Sequence, residues 1–522
     1  MMTLKKLPIG IQSFSTIITD GYAYVDKTKY ISKLALQGKY YFLSRPQRFG
    51  KSLLIDTIDC AFSGKRDLFS GLYLDTAESG WDFSFQYPVL RIDWSVAPVR
   101  TPEELERRIH EILDTWALHY NCTPVPTTSG GKFEYIVRTI QQKTGMQVVI
   151  LIDEYDKPIL DTLKTPVIAA EMRDMLRDFY GVLKSLDSSL KFVMLTGVSK
   201  FVKTGIFSGL NNLNDITLDR TYSAICGYTE CDLEQVFNEY IYEYDQEKVR
   251  EWYNGYSWTG ERVYNPFDIL LLFSKGIFRP YWFETGTPGF LIEMWKNAPR
   301  LPAEFDGMVA GDELLGSFDP EQIRIETLLF QAGYLTIHSW ESNPDIGTWY
   351  TLGFPNREVR ESFNRMILSI LGPDTPNISV PAYRTILESG DTEGLRTRIQ
   401  ALFASIPHDW YRKNPISQYE GYYASVFYAW LSSLGFTVIP EDVTNKGRID
   451  LSVQTGLITW IFEFKVLGID RSGDRNPLDQ IKNQGYAEKY LAESKQVILI
   501  GIVWNPKTRN IEKWDVSPGE NK

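Results

Sequence analysis

The stretch Tyr41-Phe-Leu-Ser-Arg-Pro-Gln-Arg-Phe-Gly50-Lys51-Ser52 is an apolar run that stops at a basic, proline-containing turn and restarts on Gly-Lys-Ser. A glycine at 50 lets backbone N–H groups approach a phosphate closely. Lys51 supplies a point charge for terminal phosphates, and the Ser52 hydroxyl is placed to ligate Mg2+. Apolar residues at Leu53, Leu54, Ile55, Ile58, Ala61 and Phe62 predict a helix from Lys51 to about Phe62, its positive end aimed at the same anion. The pattern departs from G-x-x-x-x-G-K-[ST] at its first position, where Arg45 stands in place of glycine. Taken alone, the segment also reads as an ordinary strand–turn–helix junction.

Two further apolar runs weigh against that plain reading. Gln147-Val-Val-Ile-Leu-Ile-Asp153-Glu154 predicts a central strand that delivers two carboxylates to one edge of a sheet. There Asp153 would hold Mg2+ and Glu154 would polarise the attacking water. Lys191-Phe-Val-Met-Leu-Thr196-Gly197-Val-Ser199 is a third strand, with Thr196 or Ser199 suited to sensing a terminal phosphate or simply to capping the strand. Tyr87 to Ser95 adds a strand candidate, and Thr101-Pro-Glu-Glu opens a helix with a threonine cap, proline at the first position and acids in the first turn. Alternating strands and helices predict a parallel sheet. Three strands ending in Gly-Lys-Ser, Asp-Glu and Thr-Gly-x-Ser together predict an NTPase.

The chain has 522 residues, enough for two to four domains at a prior of ~150 residues each. Hydrophobic content of 43% and aromatic content of 14% predict a globular protein, not a disordered one. No apolar run reaches the ~18 residues that a membrane helix needs, and Met1-Met-Thr-Leu-Lys-Lys lacks the apolar core of a signal peptide, so the cytoplasm and no membrane partner are expected. The four cysteines are scattered, which favours neither a zinc site nor a disulfide framework. The net charge of −11 disfavours general nucleic-acid coating. Residues 1–66 carry 11 Lys/Arg against 4 Asp/Glu, and residues 409–522 carry 14 of each, so the acidity lies between them. Both ends of the chain can therefore accept an anionic ligand.

From Pro415 the chain changes character. Glu420 to Gly435 predicts an amphipathic helix stopped by glycine, followed by strands at Phe436–Pro440, Gly447–Val453 and Leu457–Val466, a helix from about Pro477 to Leu491, and a strand from Gln496 to Trp504. Asp450 lies on one strand, while Glu463 and Lys465 lie two apart on the next and so share a face. Two carboxylates beside a lysine can bind Mg2+ and activate water against a phosphodiester. A surface hairpin with a salt bridge is the rival reading. Phe462, Phe464, Trp460 and Val466 set the charges in an apolar strand, where they cost free energy unless paired or metal-bound.

The blocks Arg45-Pro-Gln-Arg-Phe-Gly-Lys-Ser-Leu, Leu151-Ile-Asp-Glu-Tyr-Asp-Lys-Pro158, Leu195-Thr-Gly-Val-Ser-Lys-Phe201 and Ser208-Gly-Leu-Asn-Asn-Leu-Asn-Asp215 resemble the bacterial AAA-ATPase-like proteins with a C-terminal PD-(D/E)XK nuclease-like domain. The resemblance continues through Trp252-Tyr-Asn-Gly-Tyr256, Tyr264-Asn-Pro-Phe267, Gln331-Ala-Gly-Tyr-Leu-Thr336 and Gly353-Phe-Pro-Asn-Arg-Glu358, over nearly the whole chain. That family usually reads Arg-Pro-Arg-Arg-Phe-Gly-Lys-Ser, so Arg45 is expected there and Gln47 is the departure. The resemblance implies an α/β protein with a P-loop ATPase domain over 1–220 and a nuclease-like domain over 406–522; between them the aromatic-rich 221–300 reads as a helical lid, and 301–405, a helix followed by a small hairpin, as a linker or winged-helix-like region. The resemblance also implies ATP and Mg2+ as cofactors. Arg45, Arg48, Phe49, Gly50, Lys51, Ser52 and Leu53 would surround the nucleotide with Asp153, Thr196 and Ser199, Ser52 and Asp153 would ligate one metal, and Glu154 would be catalytic. In the nuclease it implies Asp450 and Glu463 as metal ligands, Lys465 as the catalytic lysine, Glu420 as a helper carboxylate and Gln480 near the scissile phosphate.

The expected function is an ATPase whose nucleotide state gates a Mg2+-dependent nuclease acting on DNA, in defence or mobile-element upkeep. The alternatives are an ATP-dependent switch that recruits a partner and a nucleic-acid-binding module. A homo-oligomer is compatible with the sequence. Arg173 and Arg177 are the candidates for an arginine finger.

Overall fold

The computed structural model describes residues 4–200, 212–286, 302–312, 315, 324–345, 347–371, 380–406, 420–468, 476–491 and 496–519. The chain divides into two compact units, one formed by 1–291 with 307–356, the other by 292–306 with 357–522. The region read from sequence as one linker, 301–405, is thus shared between them.

In the first unit β1 (Tyr40–Ser44), β2 (Val89–Asp93), β3 (Val148–Asp153), β4 (Leu190–Gly197) and β5 (Asn214–Asp215) form one sheet in the order β2-β3-β4-β1-β5. All four pairings are parallel. Every residue of β1 and β3 is buried, which is why both read as unbroken apolar runs, whereas β2 at the edge alternates. The C-terminal ends of β1, β3 and β4 lie at one edge, and the helix Lys51–Phe62 starts there. Thr101 caps the helix Pro102–His119 by accepting the Glu104 N–H at 3.3 Å.

After the sheet come short helices built on aromatics. The run from Thr229 to Tyr244 forms two helices, Glu230–Val236 and Asn238–Ile241. Phe237 leaves the helical region between them and packs its ring 5.4 Å from Tyr228 and 5.7 Å from Phe273. Ala23 and Val25 of the N-terminal segment belong to this same buried cluster. The helix Ile325–Ala332 then leads into an antiparallel sheet of β6 (Met308–Gly311), β7 (Thr336–Asn343) and β8 (Gly347–Gly353), ordered β6-β8-β7.

The second unit centres on a mixed sheet, β13-β12-β11-β10-β9, made of β9 (Thr437–Thr444), β10 (Gly447–Gln454), β11 (Ile458–Val466), β12 (Gln496–Asn505) and β13 (Asn510–Pro518). Only β11 and β12 pair in parallel. The helix Glu420–Ser433 covers one face, with Phe427 edge-on to Phe462 at 4.9 Å, and the helix Pro477–Gln484 joins the buried cluster of Ile449, Ile461 and Leu499. The expected last helix ends earlier, because Gly485 turns left-handed at φ +63° and a 3-10 turn, Tyr486–Lys489, follows. β13 is an edge strand not expected from the sequence.

Candidate nucleotide and nuclease sites

The turn between β1 and the helix Lys51–Phe62 is held in an unusual backbone shape. Gly50 is left-handed at φ +93°, where a Cβ would meet no atom within 4 Å, so it is the conformation and not crowding that favours glycine. Arg48 is also left-handed, at φ +68°. The Phe49 ring anchors the turn from below, edge-on to Tyr256 at 4.8 Å and Trp258 at 5.4 Å, and its carbonyl accepts the Gly227 N–H at 3.2 Å. The Trp282 indole donates to the Gln47 carbonyl at 3.1 Å. Lys51 curls back, its Nζ donating to the carbonyls of Arg45 and Pro46 at 2.9 and 3.0 Å.

Arg45 corrects the sequence reading. Its side chain is 1% exposed and turns away from the cleft, donating to the carbonyls of Ser44, Thr217 and Tyr222 at 2.8, 2.9 and 3.1 Å. The guanidinium lies 4.1 Å over the Trp258 ring, and burial lowers its pKa to about 10. It is a strut beneath the turn, not part of the phosphate cradle. Arg48, by contrast, lines the cleft with its guanidinium 4.5 Å over Phe267.

That cleft has a volume of about 370 Å3. Its lining includes Arg48, Gly50, Lys51, Ser52, Glu154 and Lys157, with Leu53 beside apolar residues of the N-terminal segment. Three cations face one carboxylate, a net positive lining in a chain of net charge −11.

The Asp-Glu pair is fixed behind this cleft. Asp153 is 1% exposed, and its Oδ1 accepts the Thr196 hydroxyl at 2.6 Å and the Glu154 N–H at 3.1 Å. Glu154 sits in the left-handed region at φ +51°, which swings its side chain into the cleft. Burial pushes its carboxyl up from the ordinary value, with Lys51 opposing. Thr196 therefore orients Asp153. Ser199 departs from its expected role as a phosphate sensor: its hydroxyl and its N–H donate to Asp156 Oδ2 at 2.5 and 2.6 Å. Asp156 also accepts the Val198 N–H at 3.1 Å and so ties the loop after β4 to the loop after β3. Gly197 makes this possible, since a Cβ there would lie 2.5 Å from Asp156 Oδ1. The sequence showed Asp156 and Lys157 directly after Asp153-Glu154, and that adjacency was the available signal for both. Arg173 and Arg177 pair with Asp174 of their own helix at 3.2 and 2.9 Å. The Phe201–Asn211 part of the recognised blocks lies outside the described residues.

In the second unit the pairing of Leu451 with Phe462 puts Asp450 opposite Glu463 across β10 and β11. Asp450 Oδ2 accepts the Phe464 N–H at 2.7 Å, and Glu463 is 1% exposed. Lys465, two residues on, shares the Glu463 face and is half-buried. Gln480 donates from the neighbouring helix to Glu463 Oε1. Gly501, paired with Glu463 in β12, lets that helix approach: a Cβ there would lie 2.4 Å from the Leu478 backbone nitrogen. Tyr486 closes the group, its phenol pushed up by burial and then by the charges of Glu463 and Asp450. Glu420 begins the helix Glu420–Ser433, and its side chain lies outside the described residues. Among the described residues no group of three or more His, Cys, Asp and Glu is arranged to hold a metal, so the donor set here is two carboxylates beside a lysine. No described helix is long and apolar enough to cross a membrane.

Comparison with known proteins matches residues 8–207 to the family described as "Predicted AAA-ATPase" and residues 418–514 to the PD-(D/E)XK nuclease superfamily. A protein of Azotobacter chroococcum mcd 1, described as an uncharacterized protein in the vnfD 5′ region, is 46% identical over 517 residues, covering 98% of each chain. With the parallel sheet, the loop and cleft at its edge, and a separate mixed sheet bearing Asp450, Glu463 and Lys465, the chain belongs to the AAA-ATPase-like proteins that carry a C-terminal PD-(D/E)XK nuclease domain.

Proposed function

We propose that the protein hydrolyses ATP and that its nucleotide state gates a Mg2+-dependent nuclease acting on DNA. One observation carries the reading: Lys51, Ser52 and Glu154 face a single cleft at a helix N-terminus, with Asp153 fixed behind them by Thr196. These residues fit a magnesium-bound nucleoside triphosphate. Gly50 leaves the loop amides open, the net positive lining suits a polyphosphate, and the Ser52 hydroxyl and Asp153 carboxylate would hold the metal. Bound there, Mg2+ would neutralise charge developing on the phosphates. Lys51 offsets further phosphate charge, and Glu154, its proton affinity raised by burial, accepts a proton from the attacking water.

In the nuclease domain Asp450 and Glu463 would hold Mg2+, and Lys465, on the same face as Glu463, would position the water that attacks a phosphodiester. Gln480 keeps the Glu463 carboxylate oriented. The gating element of the reading is supported by the presence of both families on one chain. ATP turnover by the purified full chain is the first test. Lys51→Ala and Glu154→Gln should each lower kcat by at least about 100-fold, ~2.7 kcal/mol; hydrolysis unchanged in both variants rejects the ATPase reading.

A further inference from the structure

We propose that Lys157 is a second ligand of the terminal phosphate in the nucleotide cleft, beside Lys51, a cation supplied by the same chain from the loop that follows Asp153-Glu154. This rests on the reading of the cleft as a nucleoside triphosphate site. Lys157 lines the cleft with Arg48, Lys51 and Glu154, and the other two cations have separate anchors. Lys51 is held by the carbonyls of the loop, and the Arg48 guanidinium lies over Phe267.

The Lys157 backbone is fixed with unusual thoroughness. The Glu154 N–H is bound by Asp153 Oδ1, the Tyr155 N–H by the Thr196 carbonyl at 3.0 Å, the Asp156 carboxylate by Ser199, and the Lys157 N–H by the Glu154 carbonyl at 2.9 Å. The residue that polarises water and the lysine three positions later therefore keep one spacing. The lysine charge also reaches Glu154, where it opposes the upward push of burial.

Its ammonium meets Asp161 Oδ1 at 3.1 Å, one turn on, with both side chains about one-third exposed (32% and 30%). An exposed ion pair of this kind is weak. A triphosphate carries more charge than one carboxylate and sits in a less hydrated cleft, so the ammonium can exchange Asp161 for the terminal phosphate at little cost. ADP offers no such partner. Lys157 should accordingly discriminate tri- from diphosphate without contributing to binding of the rest of the nucleotide.

The test is isothermal titration of the full chain with ATPγS and with ADP in Mg2+. The wild type should prefer ATPγS. Lys157→Met should reduce that preference about tenfold while ADP affinity stays within about twofold, Lys157→Arg should retain most of it, and Asp161→Asn should keep or raise it. Circular dichroism would establish that each variant folds. An unchanged preference in folded Lys157→Met, equal weakening of both nucleotides, or equal affinities in the wild type overturns the inference and leaves the nucleotide site standing. A wild type that binds neither nucleotide overturns the site and the inference together.

Discussion

Replacing Arg45 with methionine separates a strut from a phosphate ligand. The guanidinium satisfies the buried carbonyls of Ser44, Thr217 and Tyr222 and stacks on Trp258. Methionine fills most of the volume and supplies no donor. Leaving a buried acceptor unmet costs about 1–3 kcal/mol; the Tyr222 carbonyl keeps the Ile225 N–H at 3.2 Å, so the other two carbonyls set a gross loss of ~2–6 kcal/mol. Removing a buried charge returns part of that, because desolvating an ion costs several kcal/mol. The net expectation is a destabilisation of about 1–4 kcal/mol, a sizeable share of the ~5–15 kcal/mol that holds a typical domain. Urea unfolding followed by circular dichroism should show the midpoint of the first unit falling, and under conditions where the variant stays folded its Mg·ATP affinity should stay within about threefold of wild type. Full stability combined with a loss of nucleotide binding would refute the strut and return Arg45 to the cradle.

Arg48→Ala should do the reverse, weakening ATP binding about tenfold by titration while shifting stability by less than ~1 kcal/mol, because its ring contact is on the surface. Thr196→Val removes the hydroxyl that orients Asp153 and should raise the Mg2+ concentration needed for half-maximal ATP turnover; metal-free nucleotide binding should be unaffected, and a loss there would instead mark Thr196 as a phosphate contact. Gly501→Ala drives a methyl against the Leu478 backbone and should cost the second unit about 1–3 kcal/mol and lower any nuclease activity through Gln480, with ATP turnover intact. Bonds from Lys39 and Tyr40 hold the Asp187 carboxyl below its ordinary range, so its stabilising contribution is present at neutral pH and lost as pH falls through the folded-state value. The melting-temperature gap between wild type and Asp187→Asn should accordingly narrow on acidification below the ordinary carboxylate range.

What could be read from sequence followed burial. β1, β3 and β4 announce themselves because strands covered on both faces are continuous apolar runs, and Gly-Lys-Ser, Asp-Glu and Thr-Gly follow at their ends. That Glu463 and Lys465 share one face of their strand followed from alternation. Arg45 was misread because its partners, Thr217, Tyr222 and Trp258, lie more than 170 residues away and leave no local trace. Ser199 looked like a sensor until Asp156, 43 positions earlier, claimed its hydroxyl. β13 escaped notice because an edge strand with Glu512 and Lys513 exposed carries little apolar signal. The division of 301–405 between two units is a matter of which surfaces pack together, and local pattern does not encode it.

The central claim joins both sites, and plasmid cleavage in Mg2+ with ATP, with ADP and without nucleotide tests it most directly. The account predicts cleavage whose rate depends on the nucleotide supplied, which disappears in Asp450→Ala and Lys465→Ala and no longer responds to nucleotide state in Lys51→Ala. No cleavage under any nucleotide state, or cleavage that survives Asp450→Ala, would contradict it.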